Sequence, residues 1–194
     1  MHRIYFLLLL FTTGSLRAET ISFDIKIFGS VIGRMDVTHT KEIDGTEVYT
    51  IISNSAAKIL WINKTYHSAF EVRFKNGKMV SSSHMETENE KPKRWANVVY
   101  DGKQYQVNSE KGKRSFAETP VLSDAHLYFQ DCRKVKRVFY LPDADFDEVK
   151  PVDENTIEFK SSDGHRNVYF YQDGKIKSME FHLALATVHM TRVN

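Results

Sequence analysis

A chain of 194 residues with 27 lysines and arginines against 25 aspartates and glutamates is sized for one domain and has no basic excess to recommend a nucleic-acid partner. Its one cysteine, Cys132, excludes an internal disulfide. The compositional signal is aromatic: 2 Trp, 9 Tyr and 13 Phe.

The chain opens Met1-His2-Arg3, runs through apolar residues 4–11 and reaches Leu16-Arg17-Ala18. A basic start, a short apolar centre and a small residue at the cut describe a secretory signal peptide over residues 1–18. The run is far short of the roughly 20 apolar residues of a membrane-spanning helix. No cysteine near the cut invites a lipid anchor. Cleavage after Ala18 removes Arg3 and Arg17, which leaves 25 basic residues against 25 acidic ones. The expected product is a soluble single domain, residues 19–194, in the periplasm or cell envelope.

From Ile21 onward, apolar and polar residues alternate: Phe23, Ile25 and Ile27 against Asp24 and Lys26, then Tyr66, Ser68, Phe70, Val72 and Phe74 against His67, Ala69, Glu71 and Arg73. Period two marks strands with one face inside. Asp44-Gly45, Asn76-Gly77, Asp101-Gly102, Lys111-Gly112, Asp163-Gly164 and Asp173-Gly174 punctuate the alternation as hairpin turns. Strands are predicted over 20–28, 31–40, 46–54, 65–75, 78–87, 94–101, 104–109, 135–141, 155–160, 165–172, 175–182 and 185–193, with a weaker one at 113–117. Residues 56–63, AAKILWIN, fit either a short helix or a strand. Residues 86–94, ETENEKPKR, read as a solvated loop or strand edge. Gly29 to Gly33 reads as a glycine-bracketed strand turn.

Residues 119–133, TPVLSDAHLYFQDCR, break the pattern. Pro120 cannot donate to a ladder, Ser123 offers an N-cap, and Asp124 places negative charge in a first helical turn. One short helix near 123–131 is predicted, with Leu127 and Phe129 inward. The fold class is all-β: a curved antiparallel meander, half-barrel or barrel, of about 11–13 strands, with that helix as plug or lid.

Candidate chemistry is sparse. Asp143, Asp145, Asp147 and Glu154 echo a calcium loop, but Glu148 stands where glycine is needed and Pro151 interrupts. A solvated acidic connector is the simpler reading. The seven histidines outside the leader form no metal-ligand motif, although His182 and His189 stand on successive strands. There is no nucleophile elbow and no glycine-rich phosphate loop, so no cofactor and no catalytic residue is assigned. Cys132 reads as a small packed residue rather than a reactive thiol. Trp61, Tyr66, Phe70, Phe74, Trp95, Tyr128 and Phe129, together with Tyr100, are the candidate ligand-binding set on one concave surface. Such a surface suits a lipid or other apolar small molecule; the same rings filling a barrel core is the commoner arrangement, since alternation predicts burial and not emptiness. Three readings stand open: a non-catalytic apolar binder, a structural or interaction module, and a hydrolase with a dispersed site.

Leu122 to Phe129, Val138-Phe139 and the run Asp163-Gly164-His165-Arg166-Asn167-Val168-Tyr169-Phe170-Tyr171-Gln172-Asp173-Gly174 resemble an uncharacterised family of exported bacterial proteins. In that family a serine-led LYF helix precedes a DG..N.Y.Y..G hairpin. Residues 28–35 are similar to a glycine-bracketed first hairpin of related envelope proteins. The chain departs from the pattern at Asp131-Cys132, where Glu-Pro is usual. The resemblance implies a curved antiparallel sheet similar to lipoprotein-carrier half-barrels, and it implies no catalytic residues.

Overall fold

The computed structural model describes residues 17–59, 62–160, 164, 166–183 and 186–193. The segment expected to be a signal peptide lies outside these residues, save Arg17 and Ala18.

Eight strands form a first meander: β1 (Arg17–Ile27), β2 (Ser30–Lys41), β3 (Glu47–Ile59), β4 (Ile62–Lys75), β5 (Lys78–Glu88), β6 (Lys91–Tyr100), β7 (Tyr105–Ser109) and β8 (Gly112–Phe116). The chain then crosses through a 3-10 helix, η1 (Asp124–Tyr128), to the strand β9 (Arg137–Tyr140), the 3-10 turn η2 (Leu141–Asp143) and the strand β10 (Asp145–Glu148). A second meander follows: β11 (Lys150–Pro151), β12 (Thr156–Lys160), β13 (Arg166–Gln172), β14 (Lys175–His182) and β15 (Thr187–Arg192). All neighbours pair antiparallel, and β15 pairs with β1, so the sheet runs β11 to β15 and then β1 to β8. Thirteen strands thus share one open sheet, and β9 and β10 make a separate pair.

The all-β antiparallel architecture agrees with the alternation. The sheet does not close on itself; its edges are β11 and β8. Aromatic packing fills the seam. Phe116 of β8 meets Phe139 and Phe146 of the β9–β10 pair, while Tyr140 meets Phe159 of β12. Edge strands are otherwise templates for unwanted pairing.

Several expectations need correction. The break at 119–133 holds five residues of 3-10 helix rather than an α-helix over 123–131. Of the two readings of residues 56–63 the strand holds where the chain is described, residues 56–59 ending β3 and residues 62–63 opening β4, while residues 60 and 61 lie outside the described residues. Of the two readings of residues 86–94, loop or strand edge, the strand holds: they close the β5–β6 hairpin, with Asn89 and Glu90 both at positive φ, 50° and 64°, the pattern of a two-residue I′ turn made without glycine. The acidic connector is largely the strand β10, with Asp147 buried.

The inner face carries one continuous core. Phe23, Val37, Val72, Val98, Leu127, Phe139, Ile157, Phe159 and Met179 are fully buried. Helix η1 lies on this face, its Tyr128 ring edge-on to Phe23 at 5.7 Å. His126 takes the reach-back role at its cap: the Ser123 N–H donates to His126 Nδ1 at 3.1 Å. Among the described residues no helix is long and apolar enough to cross a membrane.

Candidate functional site

Register sets the site. Met35 of β2 stands opposite Ser53 of β3, Ser53 opposite Ser68 of β4, Ser68 opposite Glu86 of β5, and Glu86 opposite Arg94 of β6. Because side chains in register share a face, these five form one row across five strands. Two residues deeper runs an apolar row, Val37, Ile51, Phe70, His84 and Ala96.

Between the polar row and η1 lies a cavity of about 290 Å³. Phe70, Tyr128, Tyr140, Tyr169 and Phe181 contribute rings to its wall, and Glu86, Arg94 and Asp124 contribute charge. Met35, Ile51, Val188 and Met190 line the apolar side, from β2, β3 and β15. A shallower recess of about 160 Å³ shares Ser53, Ser68 and Glu86 with the cavity and adds Tyr66 and Lys93.

The polar side is braced from below. Arg94 Nη2 donates to Asp143 Oδ1 at 2.6 Å and to the Pro142 carbonyl at 2.9 Å, so β6 is tied to η2. The Asp143 side chain is only 3% exposed. A calcium role for the acidic run is not supported by this geometry: Arg94 engages Asp143 and Arg114 engages Asp145. Among the described residues no three His, Cys, Asp or Glu side chains cluster as metal ligands.

Asp124 is buried in the first turn of η1. Burial raises its pKa to about 7, against the backbone N–H groups of Leu141 and Ala125, which lower it. Burial also raises Glu86 above the usual carboxylate range, against the lowering influence of Arg94. His84, stacked on Phe70 at 5.3 Å, is driven down to about 4, first by burial and then by Arg94. His126 falls to about 4 by burial, and Cys132 rises to about 11 for the same reason. A thiol held that high is a poor nucleophile.

The seven residues expected to line a binding surface separate. Phe70 and Tyr128 line the cavity, and Tyr66 lines the adjoining recess. Phe74 packs on Tyr49 and His126, and Phe129 on Tyr49 and His39, in a solid aromatic cluster below the cavity. Trp95 follows Arg94 and so projects to the outer face, where it stands opposite Met85. Trp61 lies outside the described residues. Tyr100 meets Tyr105 in a tilted ring contact with centroids 4.9 Å apart, and it does not line the cavity. His182 and His189 both flank Glu180 at 3.4 Å.

The family comparison bears on this fold. A family model described as a domain of unknown function, DUF6134, matches residues 23–193. The chain belongs to the DUF6134 family. The matched range takes in every cavity residue of this DUF6134 domain and both meanders except the first six residues of β1. Among solved structures, it is similar to the crystal structure of a β-barrel-like protein of the domain of unknown function DUF1849 from Brucella abortus. The TM-score is 0.57 at 8% identity, over 92% of this chain and 96% of that one. Identity that low speaks to the fold alone. No curated protein matches the DUF6134 chain in sequence.

Proposed function

We propose that this DUF6134 domain is an exported, soluble, non-catalytic binder of a small apolar or lipid-like ligand in the cell envelope. The observation that carries the reading is the cavity of about 290 Å³, walled by Phe70, Tyr128 and Ile51 with its charges gathered on one side. Its volume of about 290 Å³ stands just under the roughly 300–1,000 Å³ usual for ligand sites, and apolar walls with a few convergent polar groups are the usual lining. The export half of the reading rests on the leader pattern of residues 1–18; cleavage after Ala18 leaves nine residues of β1 from Glu19, paired with β2 along their length and with β15 over residues 23–26.

Native mass spectrometry of gently purified protein tests the binding half. A co-purifying apolar mass, or saturable 1:1 uptake of the neutral dye N-phenyl-1-naphthylamine, supports it. A clean apo mass with no saturable uptake favours the structural-module reading, which the filled cluster of Phe74, Phe129, Tyr49 and His126 already describes for the lower half of the interior. Amino-terminal sequencing of the exported product, expected to begin at Glu19, tests the other half.

A further inference from the structure

The cavity is polarised sideways. In the strand order its polar wall is built from Glu86 of β5 and Arg94 of β6 with Pro142 of η2 beside them, and the Asp124 carboxyl of η1 is joined to η2 by accepting the Leu141 N–H. Its opposite wall comes from β14, β15 and β2: Phe181, Val188, Met190 and Met35. A ligand that fits both walls is an amphiphile.

The charge on the polar wall selects its head. Arg94 is the one cation among the lining residues, and it is committed to Asp143 at 2.6 Å and to the Pro142 carbonyl at 2.9 Å. Two acids, Glu86 and Asp124, also face the cavity; Arg94 and Lys93 act on Glu86 from a distance without a direct ion pair among the described residues, and Asp124 accepts from the Leu141 N–H. An anionic head would sit against both acids. The rings of Phe70, Tyr128, Tyr140 and Tyr169 also line the cavity. Aromatic faces with carboxylates nearby are the surroundings an organic ammonium group seeks, because the ring quadrupole is negative at its face.

Resting on the reading of this cavity as a ligand site, we propose that its occupant is a cationic amphiphile. Its amine or quaternary ammonium head meets Glu86, Asp124 and the ring faces, and its short apolar chain lies against Met35, Val188 and Met190.

Three probes with one chain and three heads test this: octyltrimethylammonium, 1-octanol and octanoate, titrated calorimetrically into the full-length exported protein at pH 8. The expected order is cation tightest by tenfold or more over the alcohol, and octanoate weakest. In Glu86→Gln the cation's advantage over octanol should shrink severalfold while octanol binding stays put. Asp124→Asn, which keeps the side-chain shape, is the second variant and should act the same way. Octanoate binding tightest, or a cation advantage that neither substitution reduces, overturns the head-group assignment and leaves the apolar site standing. Failure of all three probes to bind overturns the site itself.

Discussion

Glu86 and Arg94 face each other across the β5–β6 hairpin, yet the Arg94 guanidinium reaches down to Asp143, 2.6 Å away on η2. The pairing ties the crossing segment to the first meander at the edge of the cavity. With the Asp143 side chain 3% and the Arg94 side chain 24% exposed, removing one partner strands the other in a dry site. Arg94→Ala should cost about 3 kcal/mol in urea denaturation. The double variant Arg94→Met with Asp143→Leu should cost clearly less than the two single changes together, because it strands no charge. Additive costs would show that the pair is not coupled.

The buried titrating groups predict how stability follows pH. Unfolded histidine titrates near 6.5, and His84 and His126 titrate near 4 in the fold. Between those values the unfolded chain binds more protons, so each histidine makes stability fall as pH falls. Asp124 is opposite: unfolded near 3.8, folded about 7. Between those values the folded state holds the extra proton, so Asp124 makes stability fall as pH rises. Around pH 5–6, these three groups leave a net excess of one proton in the unfolded state. Stability should then rise with pH at about 1.4 kcal/mol per unit.

Substitution separates the contributions. Asp124→Asn should roughly double that slope and stabilise the protein most above pH 7, where the wild-type carboxyl must ionise while buried. His84→Gln should bring the slope near zero. Urea titrations at pH 5, 6 and 8 read both; an unchanged slope in Asp124→Asn would show that the carboxyl does not titrate in this range.

Gly33 tests the packing of the first hairpins. A Cβ there would meet the Asn54 carbonyl oxygen at 2.1 Å and Ser55 Cα at 2.6 Å, both backbone. Gly33→Ala should therefore cost about 3 kcal/mol or more. Gly29 has open space around it but φ of +79°, so Gly29→Ala should cost only about 1 kcal/mol. Equal thermal shifts for the two would contradict the close approach of β2 and β3 at Gly33.

Strand alternation was legible because each strand buries one face, and Phe23, Ile25, Phe70, Val72 and Phe74 are all buried as their spacing requires. Glycine marked most of the turns for the same physical reason that Gly29 and Gly77 adopt positive φ. The β5–β6 hairpin was hidden because Asn89 and Glu90 make its turn without glycine and its flanks are charged. Glu86 and Arg94, of opposite charge on either side of that turn, were the signal available, although a register shift between Glu86 and Thr87 breaks their symmetry about it. The acidic run 143–148 looked solvated because the partner that buries Asp143 stands 49 residues earlier. The aromatic count found Phe70 and Tyr128 but could not find Asp124, Glu86 or Arg94, since a cavity wall is assembled by register between strands distant in sequence. Trp95 shows the converse: one position along a strand reverses the face.

The account turns on whether the space above Ile51 and Phe70 accepts a molecule. Ser53 faces that space from the polar row, so Ser53→Trp should fill it without disturbing the sheet. Titration of N-phenyl-1-naphthylamine into wild type and Ser53→Trp, with circular dichroism confirming that both fold, reads the claim directly. Saturable 1:1 fluorescence enhancement in wild type, lost in Ser53→Trp, is the predicted result. Enhancement that never saturates, or that survives Ser53→Trp undiminished, would contradict it.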